Sequence, residues 1–219
     1  MTIRDRFMAG LAGQLGRPEG LRGRLLSQGL NRGNRAVIEA AVDACGLGPG
    51  GDGADIGFGG GIGLALLLEQ VGDSGHVIGV DLSDTMIQAA AKRFREPCAA
   101  GRLTLTQGNL IDLPLASGEL DGLITINTIY FVDDLAGALS EVARTLRPDG
   151  RAVLGLADPG AMAKMPLTAY GFRLRPVEEV IEVASRSGLP HVRHDRVGSG
   201  KEAYHLLIAS PTYSGEGGD

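Results

Sequence analysis

The sequence predicts an α/β fold: a doubly wound, seven-stranded, mostly parallel sheet with an antiparallel hairpin at one edge. Three observations carry that prediction. Short apolar runs alternate with stretches of helical period across most of the chain. A glycine-rich turn directly follows the first of those runs. Two late strand-like runs, "HVRHDRVGS" and "AYHLLIAS", stand only three residues apart, too close for a helical crossover.

Each element has its own signal. In "IRDRFMAGLAGQL", Ile3, Phe7, Leu11 and Leu15 fall four apart and predict a helix, which "GRPEGLRG" interrupts. "NRAVIEAAVDACGLGPG" predicts a second helix, with Asn34 as its N-cap and Gly46 as its stop. "GADIGF" reads as a short buried strand and "GLALLLEQVG" as the helix after it. "HVIGVD" (76–81) is a strand, and "SDTMIQAAAKRFREP" a helix capped by Ser83 or Asp84 and closed by Pro97. Strands follow at 102–109 and 120–128. "LAGALSEVARTLRPDG" is a helix ended by Pro148 and Gly150, and a fifth strand spans 151–158. "PVEEVIEVASRSGL" is a helix that starts at Pro176.

Composition bounds the function. With 219 residues, 43% hydrophobic and 21% charged, the chain suits one sizeable globular domain. A net charge of −5 argues against a nucleic-acid partner. The charge is uneven: residues 1–35 carry seven Arg against two acidic groups, so that segment is +5 and the rest −10. Cys45 and Cys98 have no CxxC spacing, which excludes a disulfide framework and a cysteine zinc site; no metal is expected. No signal peptide and no membrane span are expected, which places the protein in the cytoplasm.

The glycine turn is "ADIGFGGGIG", with glycines at 57, 59, 60, 61 and 63. A dinucleotide turn needs G-x-G-x-x-G, and every register starting on G-x-G puts Ile62, Leu64 or Leu66 at the last position. A phosphate loop is also absent, because no GK[ST] follows. What remains is D-x-G-x-G-x-G: Asp55, Gly57, Gly59 and Gly61. With "GVDLSDTMIQAA" and "GNLIDLPLASGELDGLITINTIYFVDDLAGALSEVARTLRPDGRAVLG" following in order, the chain resembles the class I S-adenosylmethionine-dependent methyltransferases over residues 34–158. The likeness is to the small-molecule branch that includes the quinone-biosynthesis enzymes, and it implies a Rossmann-like sheet.

The resemblance assigns the site. S-adenosylmethionine is the implied cofactor and S-adenosylhomocysteine the product. Gly57, Gly59 and Gly61 let the backbone approach the methionyl and ribose parts. Asp55 meets the ammonium or the sulfonium field. Asp81, 24 residues after Gly57, accepts from the ribose hydroxyls. Leu82 and Met86 flank the adenine; Asn109 and the Leu110 backbone read its amino group. Many relatives carry an acidic residue or Asp-Ala where this chain has Asn109, which weakens that one correspondence. Asn127 ends the fourth strand, where the methionyl ammonium is held. Tyr130 lines the acceptor pocket as the candidate catalytic group. Asn34 reaches toward the methionyl carboxylate.

The implied reaction is in-line methyl transfer to a small, lipophilic metabolite. It needs alignment and exclusion of water more than a built nucleophile. His76, His191, His194 and His205 are read as structural. Alternatives at this stage are a nucleotide-dependent oxidoreductase on a similar sheet and a methyltransferase-like protein that binds without turnover. The expected domains are a helical lid at 1–34, the methyltransferase domain at 35–210 and a disordered tail at 211–219. Met162, Met165, Tyr170 and Phe172, in the insert 159–174, form an adaptable apolar wall. The expected assembly is a monomer or homodimer.

Overall fold

A computed structural model describes residues 34–199 and 203–211. The predicted helix at 3–15, the lid at 1–34 apart from Asn34, and the tail from 212 lie outside the described residues. In order, the elements are α1 (Arg35–Cys45), β1 (Asp52–Ile56), α2 (Ile62–Val71), β2 (His76–Asp81), α3 (Asp84–Arg93), α4 (Arg95–Ala99), β3 (Leu103–Gln107), β4 (Leu120–Ile126), a 3₁₀ turn (Ile129–Phe131), α5 (Leu135–Thr145), β5 (Leu146–Ala157), α6 (Pro159–Met162), a second 3₁₀ turn (Pro166–Ala169), α7 (Val177–Arg186), β6 (His191–Val197) and β7 (Tyr204–Ser210).

The sheet runs β3-β2-β1-β4-β5-β7-β6. The first five strands are parallel, and β7 lies antiparallel to both β5 and β6. The seven strands and the antiparallel edge pair are those the sequence predicts. Strand order reverses between β1 and β4, which opens a crevice at their carboxyl ends.

Two apolar layers hold the sheet. Leu64 and Leu67 of α2 pack on one face with Val37 and Ala41 of α1. On the other face Leu139 and Val142 of α5 pack with Val180 of α7 against Leu123 and Leu154. Leu64, Leu67, Leu123 and Leu139 are wholly buried, and each such side chain stabilises the fold by about 1.5–3 kcal/mol. The exposed edge strand β6 carries Arg193, Asp195 and Arg196, charges that discourage edge-to-edge pairing.

Helix ends follow local chemistry, with three departures from expectation. Ser83 caps α3, its Oγ accepting from the Met86 amide at 3.4 Å, and Asp134 caps α5 through the Gly137 amide at 2.9 Å. Asn34 stands at the N-cap of α1 but makes no capping bond; its Oδ1 instead accepts from the Tyr204 hydroxyl at 2.6 Å. The single helix expected over 83–97 breaks at Phe94, and Pro97 sits inside the short α4 rather than beyond its end. Pro97 is tolerated there because a first-turn amide has no intrahelical acceptor to lose. Finally, α5 stops at Thr145, before Pro148, and the chain passes straight into β5.

Candidate active site

The crevice is built from strand tips. At the tip of β1 the chain turns through Gly57 (φ 76°), Gly59 (φ 49°) and Gly61 (φ 72°), a conformation that side chains resist. Space is short as well. A Cβ at Gly57 would lie 2.6 Å from Thr128 Oγ1, and one at Gly61 2.9 Å from the Phe94 ring. The turn is tied to its neighbour strand by the Gly57 amide, which donates to the Val80 carbonyl at 2.7 Å, and Arg93 donates to the Gly60 carbonyl at 2.7 Å.

Asp81 ends β2 and is 7% exposed. Its Oδ2 accepts from the Gly59 amide at 3.0 Å and its Oδ1 from the Ser83 amide at 2.8 Å. Each carboxylate oxygen has two lone pairs, so one remains on each for an outside donor. The carboxylate is therefore pinned across the mouth of the glycine turn. Asp55, 5% exposed, lies beneath the N-terminus of α2. A Cβ at Gly63 would collide with its carboxylate, so Gly63 makes the room that Asp55 occupies.

These two carboxylates are electrostatically unsatisfied. Burial, then the neighbouring Asp81, pushes the Asp55 carboxyl up to about 8, although the Leu64 amide opposes the shift. Burial likewise raises Asp81, against the Ser83 and Gly59 amides. Neither forms an ion pair with a described Lys or Arg. Two buried carboxylates without a counter-charge suit a cationic ligand with hydroxyl donors.

The remaining predicted residues are distributed as follows. Leu82, 39% exposed, faces open space at the rim, and Gln107 holds its carbonyl at 3.0 Å. Met86 is 2% exposed and belongs to the same apolar layer as Ala90 and Phe94. Asn109 is exposed and turns its Oδ1 to the Ile111 amide at 3.4 Å; Leu110 is buried. Asn127 takes a left-handed φ of 58° at the tip of β4, and its Oδ1 accepts from the Ala157 amide at 3.3 Å. Asn tolerates that conformation better than other side chains do.

Tyr130 is 3% exposed and donates to the Ala157 carbonyl at 3.1 Å. Burial holds its phenol above the usual range, which disfavours a phenolate. Phe172 packs on it from the insert, with ring centroids 6.0 Å apart, and lies 4.8 Å from Phe131. Met162 packs against the core, whereas Met165 is exposed. Arg175 clamps the same turn, donating to the carbonyls of Ile129, Val132 and Asp133 at 3.1, 2.7 and 3.1 Å. His76 bonds Thr104 at 2.9 Å, away from these strand tips. Sequence reasoning assigned no role to Gly63, Thr128, Arg175 or Asp158, whose significance lies in contacts across the fold. Only the unusual glycine count hinted at Gly63.

A Rossmann-like sheet with a carboxylate at the tip of β2 and a glycine-rich turn after β1 is the arrangement of the doubly wound class, whose ligands bind at the carboxyl ends of the strands. Residues 54–154 match the family model of the methyltransferase domain. The nocamycin O-methyltransferase of Saccharothrix syringae is 32% identical over 125 residues, 57% of this chain and 44% of that protein. The ubiquinone/menaquinone biosynthesis C-methyltransferase of Vibrio campbellii is 31% identical over 138 residues, 62% of this chain and 53% of that protein. The alignments span about a third to a half of the length of the curated relatives matched. A solved S-adenosylmethionine-dependent methyltransferase from Aquifex aeolicus shares the fold, with a TM-score of 0.69 at 19% identity over 86% of this chain and 98% of that one. Residues 54–154, just under half of the chain, are thus similar to the methyltransferase domain, on a fold shared with that solved methyltransferase. Among the described residues no three His, Cys, Asp or Glu side chains cluster as a metal site, and no helix is long and apolar enough to cross a membrane.

Proposed function

We propose that this protein transfers a methyl group from S-adenosylmethionine to a small, lipophilic acceptor, and that residues 35–210 form the catalytic domain. The observation that carries this reading is the buried Asp81 carboxylate, fixed by the Gly59 and Ser83 amides with a lone pair left on each oxygen. Bound S-adenosylmethionine supplies a methyl carbon already activated by its sulfonium. The protein's residues align and enclose it. Asp81 accepts from the ribose hydroxyls, and the Asp55 carboxylate offsets the ligand's positive charge. Gly57 and Gly59 admit the backbone to close approach. Asn127 and Thr128 fix the tip of β4, where the methionyl end is held. Leu82 covers the adenine at the rim, and Asn109 meets its amino group. Tyr130 serves as a wall and a brace for β5, and Phe172 and Met162 continue the apolar wall that excludes water from the acceptor.

The relatives support a small acceptor: one is named for O-methylation of nocamycin, the other for quinone biosynthesis. Calorimetry of the full chain with S-adenosylmethionine and with NAD is the test. Binding of the first and not the second is expected; binding of NAD alone would overturn the proposal. Isotopically labelled methyl donor, incubated with a metabolite extract and followed by mass spectrometry, is expected to mark an apolar small molecule rather than protein or RNA.

A further inference from the structure

One string of polar side chains takes no part in the cofactor site described above. Asp158 is the first residue beyond β5. Its Oδ1 accepts from the Ala161 amide at 2.8 Å, and its Oδ2 lies 3.3 Å from His205 Nε2. His205 Nδ1 lies 2.8 Å from His194 Nε2, with the two rings near-parallel. His205 is buried on β7, and His194 is exposed on β6. The partners come from two strands and the residue just past a third, yet they form one unbroken path.

Its direction follows from the strand order. Along the carboxyl edge of the sheet stand Asp81 on β2, the glycine turn on β1, Asn127 on β4 and Asp158 on β5. Neighbouring strands are about 4.8 Å apart, so each tip is one step further along the crevice. The ribose end is at Asp81 and the methionyl end at Asn127. The next tip, Asp158, therefore borders the acceptor. Ala157 confirms the adjacency: its amide bonds Asn127 and its carbonyl bonds Tyr130. From Asp158 the path leads away from the cofactor, across β7 to the outer strand and solvent.

We propose that Asp158, His205 and His194 form a proton outlet from the acceptor end of the crevice, and that the acceptor is accordingly a hydroxyl or comparably acidic group that loses its proton during methyl transfer. The inference rests on the methyltransferase reading above. The acceptor oxygen forms its bond to the methyl carbon as the carbon–sulfur bond breaks, the sulfur keeping that electron pair as a thioether. With His205 in its Nδ1–H tautomer and Nε2 bare, the hydroxyl proton passes to Asp158 Oδ2, which then donates it to His205 Nε2. The Nδ1 proton of His205 moves to His194 Nε2, and the Nδ1 proton of His194 leaves to water. One proton enters and one leaves, so the balance holds.

Other charges bear on the string. Glu178 of α7 and Asp195 of β6 favour a protonated His194, and Arg196 opposes it. Partial burial, then the adjacent His205, holds His194 below the ordinary imidazole range. The Ala161 amide holds Asp158 below the usual carboxylate range, and Arg196 adds to this. Tyr130 faces Asp158 from the 3₁₀ turn with its phenol protonated.

The test needs no acceptor. S-adenosylmethionine differs from S-adenosylhomocysteine by one methyl and one positive charge. Placed beside the outlet, that charge drives a proton off the imidazole pair. Calorimetry of the full chain at about pH 6.5, the imidazole range, in two buffers of different ionisation heat counts the protons released on binding. Release of more protons with S-adenosylmethionine than with S-adenosylhomocysteine is expected. Measured on an Asp55→Asn background, which removes the carboxyl that also loses a proton to a cationic ligand, that excess should vanish in His205→Gln and shrink in His194→Gln. Equal release by the two ligands overturns the proposal. So does an excess that survives intact in His205→Gln on that background. Should His205→Gln no longer bind S-adenosylhomocysteine, solvent-facing His194→Gln decides, and a full excess there overturns the proposal. Failure of both ligands to bind the unaltered chain is a separate result, which removes the methyltransferase reading and the outlet with it.

Discussion

Asp81→Ala is expected to weaken S-adenosylmethionine binding by about 10³-fold. The carboxylate offers two charge-assisted hydrogen bonds to the ribose, each worth about 1.5–3 kcal/mol, and every 1.4 kcal/mol is roughly tenfold in affinity. Truncation also leaves the Gly59 and Ser83 amides without their acceptor, so the turn that cradles the ligand loosens. Asp81→Asn keeps an amide oxygen for one of those donors and should cost about tenfold. Stability should hold in both variants, because a buried charge without a counter-ion is being removed. Calorimetry and thermal melts check this. Unchanged affinity in Asp81→Ala would exclude the ribose assignment.

Asp55→Asn is expected to stabilise the ligand-free protein and to damage it as a binder. Folding raises the Asp55 carboxyl from its ordinary value to about 8, through burial first and the Asp81 charge second. The folded state therefore holds a proton that the unfolded chain releases from about pH 4 upward. Stability falls as pH rises through that window and levels off above about 8. Asn has no proton to lose and escapes the penalty. Its advantage should be absent near pH 4 and reach the order of a few kcal/mol at pH 8, read by urea unfolding at both values. Binding runs the opposite way. A cationic ligand selects the ionised carboxyl, so wild-type affinity should rise about tenfold from pH 6.5 to 8. In Asp55→Asn it should be lower throughout and lack that rise. A wild type with flat affinity over the same range would show that Asp55 does not meet the ligand's charge.

Much of this site is written in local sequence. The alternation of apolar runs and helical periods fixes the sheet, because each strand is short and each crossover helix carries its own stop signal. Asp81 is legible because a buried strand ending in a carboxylate needs a reason for it. The glycine turn is legible because five glycines in seven positions, 57–63, cost too much backbone freedom to be incidental. What is not legible depends on contacts made across the fold. Gly63 matters only because Asp55 lies where its Cβ would be, and Gly57 only because Thr128 closes over it. Asn34 has the chemistry of a cap, and a tyrosine 170 residues away takes it instead. His205 reads as one polar residue in an apolar strand until β7 is seen between β5 and β6, which brings Asp158 and His194 to its two nitrogens. Met86 sits at the right spacing for the adenine, and its side chain is buried in the apolar layer on α3.

The most direct measurement is a crystal structure of the full chain with S-adenosylhomocysteine. The ribose hydroxyls should lie on the two oxygens of Asp81, the backbone of Gly57 and Gly59 against the sugar and methionyl chain, and the sulfur toward Asn127 and the tip of β5. A nucleoside seated elsewhere, with Asp81 still turned only to its own amides, would contradict the account.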